Sequence, residues 1–378
     1  MLIPVKLKEL GDIITGNTPS KKEISYWDSK DICFVKPDSI SEQGISIVKN
    51  TTEYLSEKAS SKARIVTKDA VFVTCIGTIG KIGLAAEGRY AFNQQINVVV
   101  PNTKVLPKYL AYALLSSKKR LEDIANAPVV PIINKTQFGE FSIKIEDNTL
   151  LQKDIVNILD KVVGIIDFRR RELQCLDNLV KARFVEMFGA LNNTSYETLP
   201  LGDICEFIKD GTHQTPTYTE DKVRGYKFLS SKDVTSQKIS WSNIKYIPES
   251  LHNELYSKLA PRRGDILLAK NGTTGVAAVV DTDEVFDIYV SLALLRPKVG
   301  YNSRYLWAVI NSNDTKMQFN ANLKGIGVPN LHLGEIKKAK VIVPPLEQQE
   351  KFAVFLEQID KSNLTLTVGN YIVYVLGK

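Results

Sequence analysis

The feature that most constrains the fold of this chain is an internal duplication with a period of roughly 195 residues. Short motifs of the first half return in the second half, in the same order and at a nearly constant offset. The matched motifs are Leu10-Gly11-Asp12-Ile13 with Leu201-Gly202-Asp203-Ile204, Gly77-Thr78-Ile79-Gly80 with Gly272-Thr273-Thr274-Gly275, Tyr109-Leu110 with Tyr305-Leu306, and Asn134 and Gly139-Glu140 with Asn330 and Gly334-Glu335. The period is too long for a solenoid, so it predicts two copies of a domain, each followed by a connector.

Each copy begins with a mixed region in which short β-branched and aromatic runs are broken by Gly, Asn and Pro. This pattern is typical of an irregular sheet. A helical segment follows in each copy, at 107–119 and at 305–313. We therefore expect an α+β fold with two pseudo-repeated, β-rich domains that contain short helices.

The connectors carry a helical pattern. The apolar spacing changes to a period of 3.6 at Thr149, where Thr149-Leu150-Leu151-Gln152 has the form of a capping box. The predicted helix has about 40 residues and is about 60 Å long, so it needs a partner along its length, and a related helix begins at Pro344. We expect two long antiparallel helices that form a coiled-coil-like spacer between the domains. The predicted boundaries are 1–148 for the first domain, 149–190 for the central spacer helix, 191–343 for the second domain, 344–362 for the C-terminal spacer helix and 363–378 for a tail.

The composition excludes several classes of protein. Hydrophobic residues make up 44% of the chain and charged residues 24%, as in a globular protein. Because the chain has no signal-peptide pattern, no apolar stretch of membrane length and no Cys-x-x-Cys pair among its four cysteines, we expect a cytoplasmic protein without membrane contact. The net charge of +7 is compatible with weak nucleic-acid binding but does not decide it.

The sequence predicts no catalytic residue, no metal site and no cofactor. The histidines at 213, 252 and 332 lack the spacing of zinc ligands. Gly80-Lys81 is followed by Ile82 instead of the Ser or Thr of a phosphate-binding loop, and no dinucleotide-binding glycine pattern occurs. Pro37-Asp38 could open a nuclease-like acidic cluster, but no matching Asp/Glu-x-Lys strand follows it.

The repeated Gly-Thr-x-Gly element is the sharpest candidate for contact with a ligand. Two glycines around a threonine suit a tight turn between strands, and they equally suit a loop that a phosphate or base edge can approach. The sequence leaves both interpretations open. The candidate residues in and near this element are Gly77, Thr78, Gly80, Lys81 and Arg89 in the first copy and Arg262, Arg263, Lys270, Asn271, Gly272, Thr273 and Gly275 in the second.

Two further elements are candidates for nucleic-acid contact. Asn93, Gln94 and Gln95 offer amides that can pair with adenine in a major groove, although amides also cap loops. The second copy has Tyr289-Val290-Ser291 at this place, so base recognition would differ between the copies. A polar loop lies early in each copy, with Lys21 and Lys22 in the first and His213 and Gln214 in the second, and many such loops are merely solvated.

Taken together, these motifs resemble the specificity subunits of type I restriction–modification systems over nearly the whole chain. The resemblance rests on the Leu-Gly-Asp-Ile opening, the Gly-Thr-x-Gly loops, Phe92-Asn93-Gln94-Gln95-Ile96, Pro344-Pro345-Leu346-Glu347-Gln348-Gln349 and Leu179-Val180-Lys181-Ala182-Arg183-Phe184. It implies two target-recognition domains, each of which reads one half of a bipartite, asymmetric sequence in double-stranded DNA. It also implies docking of two methyltransferase subunits on the helical regions, joined by restriction subunits. The chain itself would then be a non-catalytic subunit of the complex.

One segment departs from the family pattern. After Asp360-Lys361 the family continues a long charged helix, whereas residues 363–378 are β-branched, nearly uncharged and contain Gly369. Such a composition forms a poor helix, so we expect an atypical tail of the kind that a truncation or frameshift produces. Two rival hypotheses stay open at this point: a stand-alone DNA-modifying or DNA-cleaving enzyme, and a duplicated scaffold that does not bind DNA.

Overall fold

The two copies of the duplicated sequence fold on the same plan. A computed structural model describes residues 2–125, 130–272, 274–323 and 329–376, with side chains described through residue 362. The chain divides into two compact units, Met1–Ile166 and Asp167–Lys378, and the division falls inside one long helix. The domain boundaries predicted from the sequence stay predictions.

The first unit contains eleven strands and four short helices among its described residues. The strands are β1 Leu2–Lys6, β2 Gly11–Thr15, β3 Ile32–Val35, β4 Ile45–Val48, β5 Glu53–Leu55, β6 Ile65–Thr67, β7 Val71–Thr74, β8 Ile82–Ala85, β9 Arg89–Phe92, β10 Ile96–Pro101 and β11 Ser142–Glu146. The helices are α1 Leu7–Leu10, α2 Pro107–Ser116, α3 Lys118–Ile124 and α4 Lys135–Glu140, and the long helix α5, Thr149–Phe188, begins in this unit.

The second unit contains nine strands and six further helices among its described residues. The strands are β12 Glu197–Pro200, β13 Cys205–Asp210, β14 Tyr226–Leu229, β15 Lys245–Ile247, β16 Ile266–Ala269, β17 Ala277–Val279, β18 Phe286–Ile288, β19 Leu292–Pro297 and β20 Lys340–Val343. The helices are α6 Leu201–Ile204, α7 Glu249–Lys258, α8 Ser303–Ile310, α9 Asn313–Ala321, α10 Leu333–Lys338 and α11 Leu346–Leu376.

The sheets of the two units share a common set of strands in the same order, to which the first unit adds β4 and β6. The order β2-β10-β7-β8 of the first unit corresponds to β13-β19-β16-β17 of the second, and β5-β3-β9 corresponds to β15-β14-β18. β3 pairs in parallel with β9 in the first unit, as β14 does with β18 in the second. A small antiparallel pair joins the two ends of each repeat: β1 with β11 in the first unit and β12 with β20 in the second. The predicted α+β class, with two repeated β-rich domains and two long helices, is confirmed.

The strands are short because buried branched and aromatic residues alternate with glycine-bearing turns. Strands β7 and β16 are buried along their whole length. Each of them lies at the centre of its sheet and packs under a helix, α2 or α8, whose tyrosine is buried: Tyr109 or Tyr305. Burial of such residues away from water is what stabilises each unit.

The long helices pair within the second unit. Phe352, near the start of α11, lies 5.6 Å from Phe184 and 5.5 Å from Phe188, near the end of α5, measured between ring centroids. Farther along, Asp177 of α5 and Ile359 of α11 line one cavity of about 400 Å³. The end of one helix therefore meets the start of the other, and the two run antiparallel.

Two motif matches of the sequence are not structural matches. The four residues of α1 correspond to the four residues of α6, because the N–H of Leu7 donates to the Phe141 carbonyl (3.0 Å) as that of Leu201 donates to the Ala339 carbonyl (2.9 Å). Leu10-Gly11-Asp12-Ile13 therefore lies three residues out of step with Leu201-Gly202-Asp203-Ile204. Likewise the N–H groups of Ile133 and Leu331 bond at equivalent places. Asn134 therefore corresponds to His332 and not to Asn330, and Gly139-Glu140 corresponds to Lys337-Lys338 and not to Gly334-Glu335.

The predicted capping box at Thr149 is wrong. The side chain of Asn148 caps α5 by accepting from the N–H of Leu150 at 2.9 Å. Gln152 is fully buried and instead accepts from the N–H of Leu106 at 2.8 Å, while its amide donates to the carbonyl of Glu146 at 2.7 Å. This glutamine therefore ties the start of the long helix to the sheet unit.

The C-terminal helix is longer than the sequence predicts. The sequence predicts an end at residue 362, because the following residues are poor helix formers, but α11 continues to Leu376. The backbone of the predicted tail is thus helical over most of its length.

Candidate nucleic-acid interface

In each unit the Gly-Thr-x-Gly element is a tight connection between two central strands. It joins β7 to β8 and β16 to β17, and both of its glycines have a positive φ of 75° to 77°. The N–H of Gly80 donates to the Thr74 carbonyl and that of Gly275 to the Ala269 carbonyl, both at 2.9 Å. The tight-turn interpretation is therefore confirmed, and Gly77, Thr78 and Gly272 are exposed at its tip. Thr273 lies outside the described residues.

The polar loops lie beside the segment that joins β9 to β10 in the first unit and β18 to β19 in the second. The N–H of Gly16 donates to the carbonyl of Ile96 (3.0 Å), and that of Gly211 donates to the carbonyl of Leu292 (3.2 Å). A Cβ on Gly16 would lie 2.1 Å from the carbonyl oxygen of Asn93, and one on Gly211 would lie 2.2 Å from that of Ile288. Only glycine permits this approach, which fixes where each polar loop begins.

The amide loop of the first unit is largely engaged in its own structure. Asn93 is buried, its side-chain amide donates to Oε1 of Gln95 at 2.8 Å, and its Oδ1 accepts from the N–H of Gln95 at 3.1 Å. Gln94 is exposed and accepts from the hydroxyl of Thr18 at 2.9 Å. Gln94 is therefore the amide of this loop that is best placed to meet a ligand.

Residues far apart in sequence complete the loop cluster of each unit. The carbonyl of Cys75 accepts from the N–H of Ile133 (2.8 Å), and the carbonyl of Lys270 accepts from that of Leu331 (3.0 Å). In the first unit Lys62 and Arg64 also lie beside the polar loop, because Asn17 bonds to the backbone of both. Sequence reasoning missed these two cations, although the polar run Ser60-Ser61-Lys62 was a signal for them.

The candidate lysines next to the turns are mostly buried. The side chain of Lys81 is 12% exposed, and its Nζ donates to the carbonyl of Pro37 at 3.2 Å. Lys270 is also buried, and its ammonium forms an ion pair with the carboxylate of Asp210. Asn271 forms a backbone bridge with Asn330. The two lysine side chains therefore lie under the loops and have little contact with solvent.

Three candidate arginines lie away from the loop cluster. Arg89 begins β9, whose other end leads into Asn93, and it pairs with Glu57. Arg262 and Arg263 precede β16, whose other end leads into the turn at Gly272. Arg263 donates to both carboxylate oxygens of Asp283, at 2.9 and 2.8 Å, and this carboxylate raises the pKa of the arginine. The structure does not bring these arginines together with the turns.

The remaining candidates stay at the loops. Lys21 is exposed and lies 3.0 Å from Glu53, and Lys22 next to it is exposed. In the second unit the side chain of His213 is 76% exposed, with Nε2 3.6 Å from Oδ2 of Asp210, and Gln214 follows it on the surface. Each unit therefore presents one cluster of loops, built on the same backbone frame but with different side chains.

The described part of the chain offers no group of three His, Cys, Asp or Glu residues that could hold a metal ion. Burial raises the pKa of the Cys75 and Cys205 thiols to about 12, so neither is a reactive thiolate. None of the helices, as far as they are described, is long and apolar enough to cross a membrane.

Comparison with known proteins agrees with the repeated architecture. A family model described as the type I restriction modification DNA specificity domain matches residues 4–178 and, a second time, residues 193–371. The chain belongs to this family. Specificity subunits of type I restriction–modification systems work within a complex with other subunits and DNA.

Two curated relatives of this family come from the archaeon Methanocaldococcus jannaschii. The type I restriction enzyme MjaVIII specificity subunit is 23% identical over 337 residues, which cover 82% of this chain and 78% of the relative. The MjaIX specificity subunit is 22% identical over 387 residues, which cover 92% and 84%. Both alignments extend over most of each chain.

Solved structures of the family share the fold. The crystal structure of a type I restriction–modification S subunit from M. genitalium has a TM-score of 0.57 at 16% identity, over 100% of this chain and 94% of the other. A chain from a structure that concerns assembly and conformational transition of the type I system has a TM-score of 0.55 at 16% identity, with coverages of 99% and 95%.

Proposed function

We propose that this chain is the DNA sequence-specificity subunit of a type I restriction–modification complex, and that each unit reads one half of a bipartite target in double-stranded DNA. The observation that carries the proposal is the matched loop cluster of the two units. Equivalent backbone hydrogen bonds hold the polar loop, the glycine turn and the amide loop at one end of each sheet. The side chains on these frames differ, so the two half-sites differ and the target is asymmetric.

The chain supplies sequence choice, and its partners supply the chemistry. The described residues contain no metal cluster, and the sequence has no phosphate-binding or cofactor-binding motif. Two methyltransferase subunits dock on the helical regions formed by α5 and α11, and restriction subunits join through them. The complex works in the cytoplasm, where its DNA substrate lies.

The candidate DNA contacts at the loops fall mainly into two groups by position. Exposed groups at the loops meet DNA directly, and they are Lys21, Lys22, Gly77, Thr78 and Gln94 in the first unit and His213, Gln214 and Gly272 in the second. Buried or mostly buried groups shape the loops, and they are Gly80, Lys81, Asn93, Lys270 and Gly275. Lys62 and Arg64 join the first group, because a basic segment beside a polar loop suits phosphate contact.

The experiment that tests this function is binding of the full chain, with its methyltransferase subunits, to duplex DNA over a range of salt concentrations. Contacts to phosphates release counterions, so we expect affinity to fall steeply between about 50 and 200 mM salt. If the chain does not bind duplex DNA, the result would support the hypothesis of a scaffold without DNA binding. Cleavage or methylation by the isolated chain would support an enzyme that acts alone, and either result would contradict the proposal.

A further inference from the structure

The two units carry opposite charges at one matched position of the loop-bearing sheets. In the first unit Glu53 of β5 pairs with Phe34 of β3, and in the second Lys245 of β15 pairs with Phe228 of β14. Both positions lie at the end of the strand that leads to the loops. In the second unit this is shown by Leu229, the residue after Phe228, whose carbonyl accepts from the N–H of Tyr289 at 2.8 Å.

In the first unit this position is neutralised within the protein. Glu53 lies 2.7 Å from the ammonium of Lys36 and 3.0 Å from that of Lys21. These two cations lower the pKa of Glu53, and its charge is satisfied by them. Asp38 adds a second carboxylate 3.7 Å from Lys36. The lysines of this face are therefore partly committed to internal ion pairs.

In the second unit this position holds a lysine that forms no ion pair with the described residues. The ammonium of Lys245 lies 4.1 Å from the ring centroid of Tyr218, and no carboxylate of the described residues lies within ion-pair distance of it. Tyr218 is 44% exposed, and its ring packs edge-on against Phe228 at 6.2 Å. Lys232, which is exposed, stands at the place that Asp38 occupies in the first unit.

The aromatic ring directs the lysine. A cation above a tyrosine ring is held by the electrostatic field of the ring, which restricts a side chain that is otherwise flexible. The ring itself is fixed, since Phe228 packs against both Tyr218 and Tyr289, the latter at 6.1 Å and at the start of the loop 289–291. The ammonium is thus held over a ring that shares its packing partner, Phe228, with Tyr289 of the loop 289–291, and Lys245 is exposed to solvent.

We propose that Lys245, positioned by Tyr218, is a DNA-contacting residue of the second unit, an inference that rests on the proposed function. The occupant that fits is the anionic backbone or the acceptor-rich edge of a guanine in duplex DNA, since Lys binds either as a point charge. The first unit has no equivalent contact, because Glu53 occupies the same position.

The test compares Lys245→Gln with Lys222→Gln in the full chain bound to its methyltransferase subunits. Lys222 is an exposed lysine just before β14, at the strand end away from the loops, so its replacement removes the same charge elsewhere on the unit. The probe is duplex DNA that carries the target mapped from methylated sites, and affinity is measured by fluorescence anisotropy across salt concentrations. We expect Lys245→Gln to weaken binding roughly three- to tenfold and to reduce the salt slope by about 1. Lys222→Gln should leave both unchanged.

A second pair of variants tests the positioning role of the ring. Tyr218→Phe keeps the aromatic face under the ammonium and should bind as the unmodified chain does, whereas Tyr218→Leu should resemble Lys245→Gln. Relaxed specificity at one base pair of the second half-site after Lys245→Gln also supports the contact, as a base contact. Equal binding by the Lys245 and Lys222 variants, or by the two Tyr218 variants, overturns the inference while the proposed function stands. Absence of DNA binding by the unmodified chain overturns both.

Discussion

The two units share a backbone arrangement but differ in the side chains that pack within it. Where the first unit has Ala70 and Val100 at matched positions of its central sheet, the second has Asp265 and Arg296. Arg296 donates to both carboxylate oxygens of Asp265, at 2.8 and 2.7 Å, and the carboxylate is buried. The same strand arrangement thus tolerates an apolar pair or an ion pair, so the frame depends on backbone hydrogen bonds and burial more than on particular side chains.

A second difference shows how the frame is kept. In the first unit Gly139 of α4 lies against Lys8 of α1, with 3.6 Å from an added Cβ to the Cβ of Lys8. In the second unit the glycine is on the other helix, where Gly202 of α6 lies against Lys337 of α10 at 3.2 Å. In each unit one residue of this helix contact is a glycine and the other is a lysine. The helices therefore pack at the same place, although the glycine and the lysine have changed helices.

The largest effect is expected at the ion pair. Asp265→Ala should destabilise the second unit by about 3 to 5 kcal/mol, because it leaves a mostly buried arginine without its partner. The double variant Asp265→Ala with Arg296→Val copies the first unit and should lie within about 1 kcal/mol of the unmodified protein. Urea-dependent hydrogen exchange, resolved to peptides of the second unit, measures both values. Equal losses in the single and double variants would show that the two frames are not interchangeable.

The buried glutamines at the starts of the two long helices make different numbers of hydrogen bonds. Gln152 makes three hydrogen bonds to the backbone, to Leu106, Lys104 and Glu146, whereas Gln349 makes two, to Asn302 and Pro344. Replacement by Leu leaves these backbone groups unpaired, at about 3 kcal/mol for Gln152→Leu and about 2 kcal/mol for Gln349→Leu. The same exchange measurement, with peptides of each unit, checks the order. A larger loss for Gln349→Leu would contradict it.

The second glycine of the Gly-Thr-x-Gly turn should respond differently in the two units. Alanine is strained at the positive φ of either Gly80 or Gly275, at a cost of about 1 kcal/mol. Its Cβ would lie 2.9 Å from Cγ of Lys118 in the first unit and 3.3 Å from the buried ring of Phe319 in the second. The lysine side chain can move aside, whereas the ring is enclosed in the core. We expect Gly80→Ala to cost about 1 kcal/mol and Gly275→Ala about 2 kcal/mol, measured by thermal unfolding. Equal losses of stability in the two variants would mean that the ring of Phe319 moves to accommodate the added Cβ.

The smallest effect is an acid-sensitive contact in the first unit alone. Lys6, 2.8 Å away, and Lys8 lower the pKa of Glu140 from its ordinary value of 4.5 to about 2. The stabilisation is therefore present above about pH 4.5 and is lost as the pH falls towards 2. The matched residue of the second unit is Lys338, so this dependence should be absent there. Comparison of Glu140→Gln with the unmodified protein across pH, at low and high salt, measures it; a difference that persists at pH 2 would argue against the contact.

The architecture was predictable because its signals are local. The glycine turns, the polar loops and the change to helical period at Thr149 each depend on a few neighbouring residues. The Leu-Gly-Asp-Ile match was wrong because two identical short sequences need not form the same backbone hydrogen bonds. A β-bulge at Cys205 and Phe207 also changes the offset between the copies by one residue.

The candidate site was less predictable because the availability of a cation depends on partners that are distant in the chain. Lys81 and Arg263 are both cations near a glycine turn in sequence. One is buried against the carbonyl of Pro37 and the other is paired with Asp283 at the far end of a strand. Lys245 carried no motif, and its exposure follows from the ring of Tyr218 and from the absence of a nearby carboxylate among the described residues.

The most direct test of two independent recognition domains is to exchange residues 191–343 for those of a related specificity subunit and to map the methylated sites in cells that contain the methyltransferase subunits. We expect one half of the bipartite target to change to the half read by the relative while the other half is retained. A change in both halves, or in neither, would contradict the claim that each unit reads its own half-site.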